Sequence, residues 1–379
     1  MSSNAQYIPG LEGVLAAQTS KSMVDGLAGK LIIGGFPLER IAPRAGFEEM
    51  IFLLWNDRLP NAKELTAFLD ELAELRPLPL ATLDLLKSIA SKDLDMMDAL
   101  RIGAGTIGLM APSDGQDEWN AKRLVATFPT IVSTAWRLSQ GKQPIAPDPK
   151  LGHAANYLFM LEGEIPSEFR TRALETYLNT VIDHSLNAST FTARVIVSTA
   201  SDFVSAIVGA VGALKGPLHG GAPGPALDMV FEIGTAEKAE PYLRKKIEAS
   251  ERLMGFGHRI YKVRDPRAEV LSEAARALYE DDGDMQLYQL VQAVEKKAVE
   301  LLEEYKPGRN LQTNVEFYTA LLLHGLGIPV PMFSPTFAVG RVAGWLAHCF
   351  EQRAAARLIR PKAEYTGETD RQWIEIDQR

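Results

Sequence analysis

The sequence predicts an all-α protein. Three observations carry that expectation: apolar residues recur at helical spacing, capping residues stand at the starts of those runs, and alternating strand patterns are scarce. Residues 30–36 (KLIIGGF) read as a short strand or hairpin near the N-terminus. Asn61 then caps a helix, with Glu64 three residues on and Leu65, Phe68, Leu69, Leu72 and Leu75 as its apolar stripe. Residues 94–102 read as helix, which decides the meaning of Gly103, Gly105 and Gly108. Their G-x-G-x-x-G spacing lacks a preceding strand, and no acid lies between Glu118 and Asp148, so they are read as close-packing positions and not a dinucleotide site. Residues 194–214, rich in Ala and Gly, read as a helix buried on several faces. Residues 284–305 repeat the amphipathic pattern through Leu290, Val291, Val294, Ala298, Leu301 and Leu302. Pro/Gly punctuation near 111–117, 141–150, 216–225 and 306–309 marks loops between helices.

Composition bounds the function. At about 150 residues per domain, 379 residues suggest two domains. The apolar share of 46% and charged share of 23% are those of a chain with a full core. The lone Cys349 excludes an intrachain disulfide and a Cys-rich zinc site. With 40 basic and 48 acidic side chains, the net charge of −8 argues against nucleic acid as the main partner. Local basic clusters still allow an anionic small molecule. Residues 1–10 are polar, and no apolar run of 18 residues occurs, so the expectation is a cytoplasmic protein with no membrane span.

The chemistry concentrates around three of six histidines. His219 lies in KGPLHGG (215–221), where glycines let a ligand come close. His258 lies in GFGHRIYKVRDPR (255–267). Residues 251–267 hold five Lys/Arg against two Asp/Glu, a local +3. His184 lies in the polar run DHSLNAST (183–190). His153, His324 and His348 sit on apolar helical patterns and are assigned to packing. Arg341, on a small apolar helix, needs a ligand or an internal carboxylate, because an unpaired buried cation is expensive. Arg353, Arg357, Arg360 and Lys362 read by composition as a solvated helix end. Histidines that move protons, arginines that clamp carboxylates and at least one carboxylate base fit condensation or cleavage of a small polycarboxylate.

Seven segments together resemble the citrate synthase family, nearest its short bacterial and archaeal type. They are GLEG (10–13), VDG (24–26), DHSLNASTFTAR (183–194), ALKGPLHGG (213–221), MGFGHRIYKVRDPR (254–267), NVEFYTALLLHGLGIP (314–329) and IRPKAEYTG (359–367). The resemblance implies a two-domain helical fold, with a large domain (1–219 and 326–379) and a small inserted domain (220–325). The active site would lie in the cleft between them, in a homodimer or an assembly of dimers. It implies that His219 stabilises the enol of acetyl-CoA, that His258 polarises the oxaloacetate ketone, and that His184 holds oxaloacetate. Arg267, Arg341 and Arg360 would bind the carboxylates, with Arg360 reaching across from a partner subunit. Lys262 and Lys362 would contact CoA phosphates. CoA enters as a substrate, and no metal or redox cofactor is implied.

One departure bears on catalysis. Glu316 stands where the family carries its catalytic aspartate, and Thr319 and Ala320 replace the usual Ser-Gly just after it. The intrinsic pKa is similar, but one extra methylene moves the carboxylate by about 1 Å, enough to cost on the order of 10²-fold if uncorrected. Residues 222–225 (APGP) also depart from the family pattern beside the cleft. Three functions stay open at this level: a citrate synthase, a 2-methylcitrate synthase using propionyl-CoA, and a catalytically weak binding or assembly protein.

Overall fold

The computed structural model describes residues 7–110, 115–219, 223–258, 260–282 and 284–379. The first six residues of the polar start, part of the 111–117 loop, Gly220, Gly221 and Ala222 of the histidine motif and hinge, and Arg259 of the basic run lie outside the described residues.

Helices begin where a side chain can satisfy their free amides. Asn61 accepts from Glu64 N at 3.0 Å, and the Glu64 carboxylate accepts from Asn61 N at 2.9 Å, a reciprocal cap. In chain order the helices are α1 (Leu38–Ile41), α2 (Phe47–Asn56), α3 (Ala62–Leu75), α4 (Leu80–Ile89), α5 (Met96–Gly105), α6 (Gln116–Ser139), α7 (His153–Glu162) and α8 (Glu168–Val181). There follow α9 (Ala188–Ser198), α10 (Phe203–Lys215), α11 (Pro223–Ile233), α12 (Ala236–Glu248), α13 (Pro266–Asp282), α14 (Met285–Tyr305), α15 (Val315–Gly325) and α16 (Phe333–Ala355). The prediction of a mainly helical chain therefore holds.

The stretch 194–214 is not one helix. α9 ends at Ser198, Ala200 takes a left-handed φ of 68°, and Asp202 restarts the chain as α10 by accepting from Ser205 N at 2.8 Å. The polar Ser-Thr-Ala-Ser-Asp run offers the backbone caps and turns in place of helix bonds. α9 and α10 then pack on each other, with Gly209 against Ile196 and Thr192. Gly103 serves the same end between α5 and α6, where a Cβ would stand 2.6 Å from Ile131 Cγ2.

α16 is the buried axis. It packs against α2, α6, α8, α9 and α10, and its residues from Phe333 to Cys349 are almost all buried. A second group sets α12 on α14, α11 on α15, and α13 on both α14 and α15; α13 also meets α8.

The only described strands are β1 (Ser22–Asp25), β2 (Lys30–Ile33) and β3 (Phe36–Pro37), an antiparallel sheet in that order. Gly34 and Gly35, with φ of 54° and 86°, make the two-residue turn that brings Ile33 opposite Phe36. The β1–β2 turn rests on the loop after His258: Lys262 N donates to Gly26 O at 2.9 Å, and the Ile260 carbonyl leaves no room for a Cβ on Gly26. No described helix is long and apolar enough to cross a membrane.

Candidate active site

A cleft of about 790 Å³ collects His184, His219, His258, Arg267, Glu316 and Arg341 on one wall system, with the 10–14 segment along its edge. Six positions spread over 158 residues of sequence meet because the turn before α9, the end of α10, the 255–267 loop, the start of α15 and the middle of α16 converge there.

His219 follows α10 and faces the start of α9. Ser189 N donates to its Nε2 at 3.2 Å, and Ser189 Oγ lies 2.8 Å from the same atom. A backbone amide is only a donor, so Nε2 keeps its lone pair and the neutral ring carries its proton on Nδ1. Burial, then the Arg341 cation, holds the ring below its ordinary pKa, so it is neutral near pH 7. Trp345 Nε1 donates to Ser189 Oγ at 3.0 Å, which ties this pair to α16.

His258 is fixed the opposite way round. Its Nδ1 accepts from Ile260 N at 3.1 Å and Tyr261 N at 3.0 Å, so the proton sits on Nε2. Nε2 is 3.4 Å from Arg267 Nη2, and both are donors, so the two converge on a place for an acceptor oxygen. Burial and the Arg267 cation push His258 down to about 4. His184 stands 3.2 Å from the Tyr261 hydroxyl and edge-on to His258, with ring centroids 6.0 Å apart. Burial, Arg267 and Arg341 hold it well below the usual imidazole range.

The two arginines differ. Arg267 is buried and paired with the fully buried Asp265, through Nε at 3.0 Å and Nη2 at 2.8 Å. Burial works against its charge, but Asp265 outweighs burial and holds it above the ordinary value. Arg341 donates Nε to Val181 O at 2.5 Å and lies over the Phe337 ring at 4.5 Å. Among the described residues no carboxylate forms an ion pair with it, and burial lowers it to about 10. Of the two partners expected for Arg341, the internal carboxylate is not at bonding distance among the described residues, although the buried Asp183 supports its charge from further off, and the guanidinium lines the cleft.

Glu316 sits in the first turn of α15. Asn314 caps that helix by accepting from Glu316 N at 3.0 Å, while its Nδ2 donates to Gly257 O at 2.9 Å. The capping side chain thus ties the carboxylate to the His258 loop. Burial pushes the Glu316 carboxyl up, and the Arg267 and Arg252 cations pull it partly back.

Not every expected residue joins the cleft. Lys262 is exposed on the loop after His258, and Arg360 and Lys362 are exposed on the segment after α16; none lines the cleft of its own chain. Arg353, grouped with them by composition, is instead held by Asp117 at 2.8 Å. Sequence reasoning missed Ser189, Asp265, Arg252 and Trp345. Ser189 lies inside the DHSLNAST run and Asp265 inside GFGHRIYKVRDPR, whereas Trp345 stands one helical turn after Arg341 with no local signal of its partner Ser189. His348, assigned to packing, lies in the core as expected but has polar partners there: its Nε2 faces Asp183 at 3.2 Å and its Nδ1 lies 3.0 Å from Arg194 Nη1. His153 and His324 do pack on aromatic rings, Phe47 and Phe231. No described cluster of His, Cys, Asp and Glu has the arrangement of a metal site.

Neutral imidazoles with assigned tautomers, a half-buried carboxylate and two arginines around one cleft define an acid–base enzyme for small anionic substrates. The family model for the citrate synthase C-terminal domain matches residues 10–362. A citrate synthase of Haloferax volcanii is 41% identical over 98% of both chains, and a 2-methylcitrate synthase of Shewanella oneidensis is 37% identical over 98% of this chain and 97% of its own. The crystal structure of citrate synthase from Pyrobaculum aerophilum superposes with a TM-score of 0.91 at 36% identity, covering 100% of this chain and 97% of that one. The chain belongs to the citrate synthase family and is an acyltransferase of the citrate synthase type.

Proposed function

We propose that the protein condenses acetyl-CoA with oxaloacetate to give citrate and CoA, as the entry reaction of the tricarboxylic acid cycle in the cytoplasm. The observation that carries this reading is the opposite tautomers of the two cleft histidines. Each neutral ring carries its one proton on the nitrogen that does not accept from a backbone amide, so on this reading each has one N–H to give to a substrate carbonyl.

On this reading the Glu316 carboxylate takes a proton from the acetyl methyl group. His219 Nδ1–H bonds the thioester oxygen and stabilises the enol. The enol carbon then attacks the oxaloacetate ketone, which His258 Nε2–H polarises and to which it gives its proton. Hydrolysis of the resulting thioester releases citrate and CoA. His184, Arg267 and Arg341 hold oxaloacetate, Arg360 arrives from the partner of a homodimer, and Lys262 and Lys362 meet CoA phosphates. No further cofactor enters this scheme. On the same reading the chain divides into a large domain of 1–219 with 326–379 and a small one of 220–325, the reaction runs between them, and their closure would exclude water.

A second reading uses propionyl-CoA and gives 2-methylcitrate. It is favoured by the Shewanella relative and by the small energy, about 1–3 kcal/mol, with which a pocket rejects one methylene. The test measures CoA release from acetyl-CoA and propionyl-CoA, each with and without oxaloacetate. Oxaloacetate-dependent release with a higher kcat/KM for acetyl-CoA supports the first reading. A higher kcat/KM for propionyl-CoA selects the second, and no release with either overturns both.

A further inference from the structure

His348 does not line the cleft, yet it is among the most completely buried polar groups of the chain. Its surroundings come from four directions. Nε2 faces the Asp183 carboxylate at 3.2–3.3 Å, from the turn between α8 and α9. Nδ1 faces Arg194 of α9 at 3.0 Å and Glu351 of its own helix at 3.7 Å. Arg194 is itself held by Glu351 at 2.5 Å and by Gln352 at 3.1 Å. Ser22, from β1, donates to Asp183 Oδ2 at 2.5 Å, the same oxygen that lies 3.3 Å from His348 Nε2.

Asp183 immediately precedes His184. Its carboxylate also accepts from Ser185 N at 3.3 Å, and Ser22 Oγ accepts from the same amide at 2.7 Å. Ser185 has a φ of 52°, a left-handed conformation that a serine holds only when its neighbours impose it. The backbone on both sides of His184 is therefore fixed by one buried carboxylate, and that carboxylate is fixed by Ser22 and His348. A buried carboxylate that loses a donor must reprotonate or move, and either change is transmitted to the next residue.

We infer that His348 is a positioning residue for the α-keto dicarboxylate: through Asp183 it sets the orientation of His184 without touching substrate. Spacing on α16 supports the assignment. Arg341, Trp345, His348 and Gln352 succeed one another at four, three and four residues, which is one buried helix face. Each bonds the 181–194 stretch: Arg341 at Val181, Trp345 at Ser189, His348 at Asp183 and Gln352 at Arg194. The same face thus orients His184 through one contact and His219 through another. The inference rests on the proposed assignment of His184 to oxaloacetate.

The experiment compares His348→Leu, which removes the donor at similar bulk, with His348→Gln, which retains an N–H. Oxaloacetate binding is read by calorimetry, and KM is read for each substrate. In His348→Leu the expected result is an oxaloacetate Kd and KM weakened about tenfold or more, with the acetyl-CoA KM changed less than about threefold. His348→Gln should recover most of the loss. If His348→Leu does not fold, Ser22→Ala removes the second donor to Asp183 Oδ2 and should give the same split at smaller size. An unchanged oxaloacetate Kd in a folded variant, or equal losses for both substrates with no rescue by Gln, overturns the inference. A wild-type enzyme that binds no oxaloacetate overturns instead the functional reading beneath it.

Discussion

On the proposed mechanism Glu316 is the residue on which the reaction turns, and its geometry argues that the longer side chain is built in. The α15 start cannot shift to absorb a change of length. Gly255 lies so close to Phe317 that a Cβ there would stand 2.9 Å from Phe317 Cβ, and Asn314 pins the Glu316 amide. Glu316→Asp therefore withdraws the carboxylate by about 1 Å from a fixed backbone, and kcat should fall on the order of 10²-fold in steady-state assays. A kcat equal to or above wild type would show that the pocket suits the shorter acid. Glu316→Gln should abolish turnover while calorimetry still finds oxaloacetate bound, because Arg267, Arg341 and the histidines are untouched. As the proposed base Glu316 would act only when ionised, and burial raises its pKa above the ordinary glutamate value. Activity is thus present above that pKa and lost as pH falls through it, so kcat/KM should show an acid limb above the glutamate reference value of about 4.3. His258, neutral down to about 4, stays a neutral donor across that limb.

At the scale of elements, the start of α15 joins stability to catalysis through one side chain. Asn314→Ala removes both the cap and the bond to Gly257 O, and should lower unfolding stability by about 1 kcal/mol in a denaturant titration, with a fall in kcat. Asn314→Asp keeps the cap oxygen but loses the donor to Gly257, so kcat should fall with little change in stability. Equal kcat in Asn314→Asp and wild type would mean that the tie to the His258 loop does not matter. The same contrast between local and distant partners explains what the sequence makes legible. The α3 cap is readable because Asn61 and Glu64 are three residues apart, and α14 because Asp284 stands directly before its apolar stripe. The three cleft histidines stand in glycine-rich or polar runs that packing does not require. The break between α9 and α10 is hidden, since small residues read through it and only the Asp202 cap marks it. Trp345 and His348 are hidden for another reason: their partners lie 156 and 165 residues away, and no local pattern records a contact made by folding.

For the whole molecule, the decisive feature is the tail beyond α16. The segment from Arg357 to Arg379 is exposed apart from Ile359, and it carries Leu358, Tyr365, Trp373, Ile374 and Ile376 on its surface, an apolar content that favours burial against another chain. Arg360 lies on that segment and is exposed, while the cleft of the same chain holds Arg341 without a carboxylate partner among the described residues. On the proposed dimer, each cleft takes Glu316 from one subunit and Arg360 from the other. Glu316→Gln and Arg360→Ala should then each be inactive alone, for different reasons. Mixed by co-expression, they form hybrids in which one of two clefts has both native residues. Random pairing puts half of the dimers in that form, so specific activity should recover to about a quarter of wild type. If Arg360 served its own chain, the hybrid would contain no intact cleft and the mixture would stay inactive, so the recovered rate reads directly which subunit supplies the arginine.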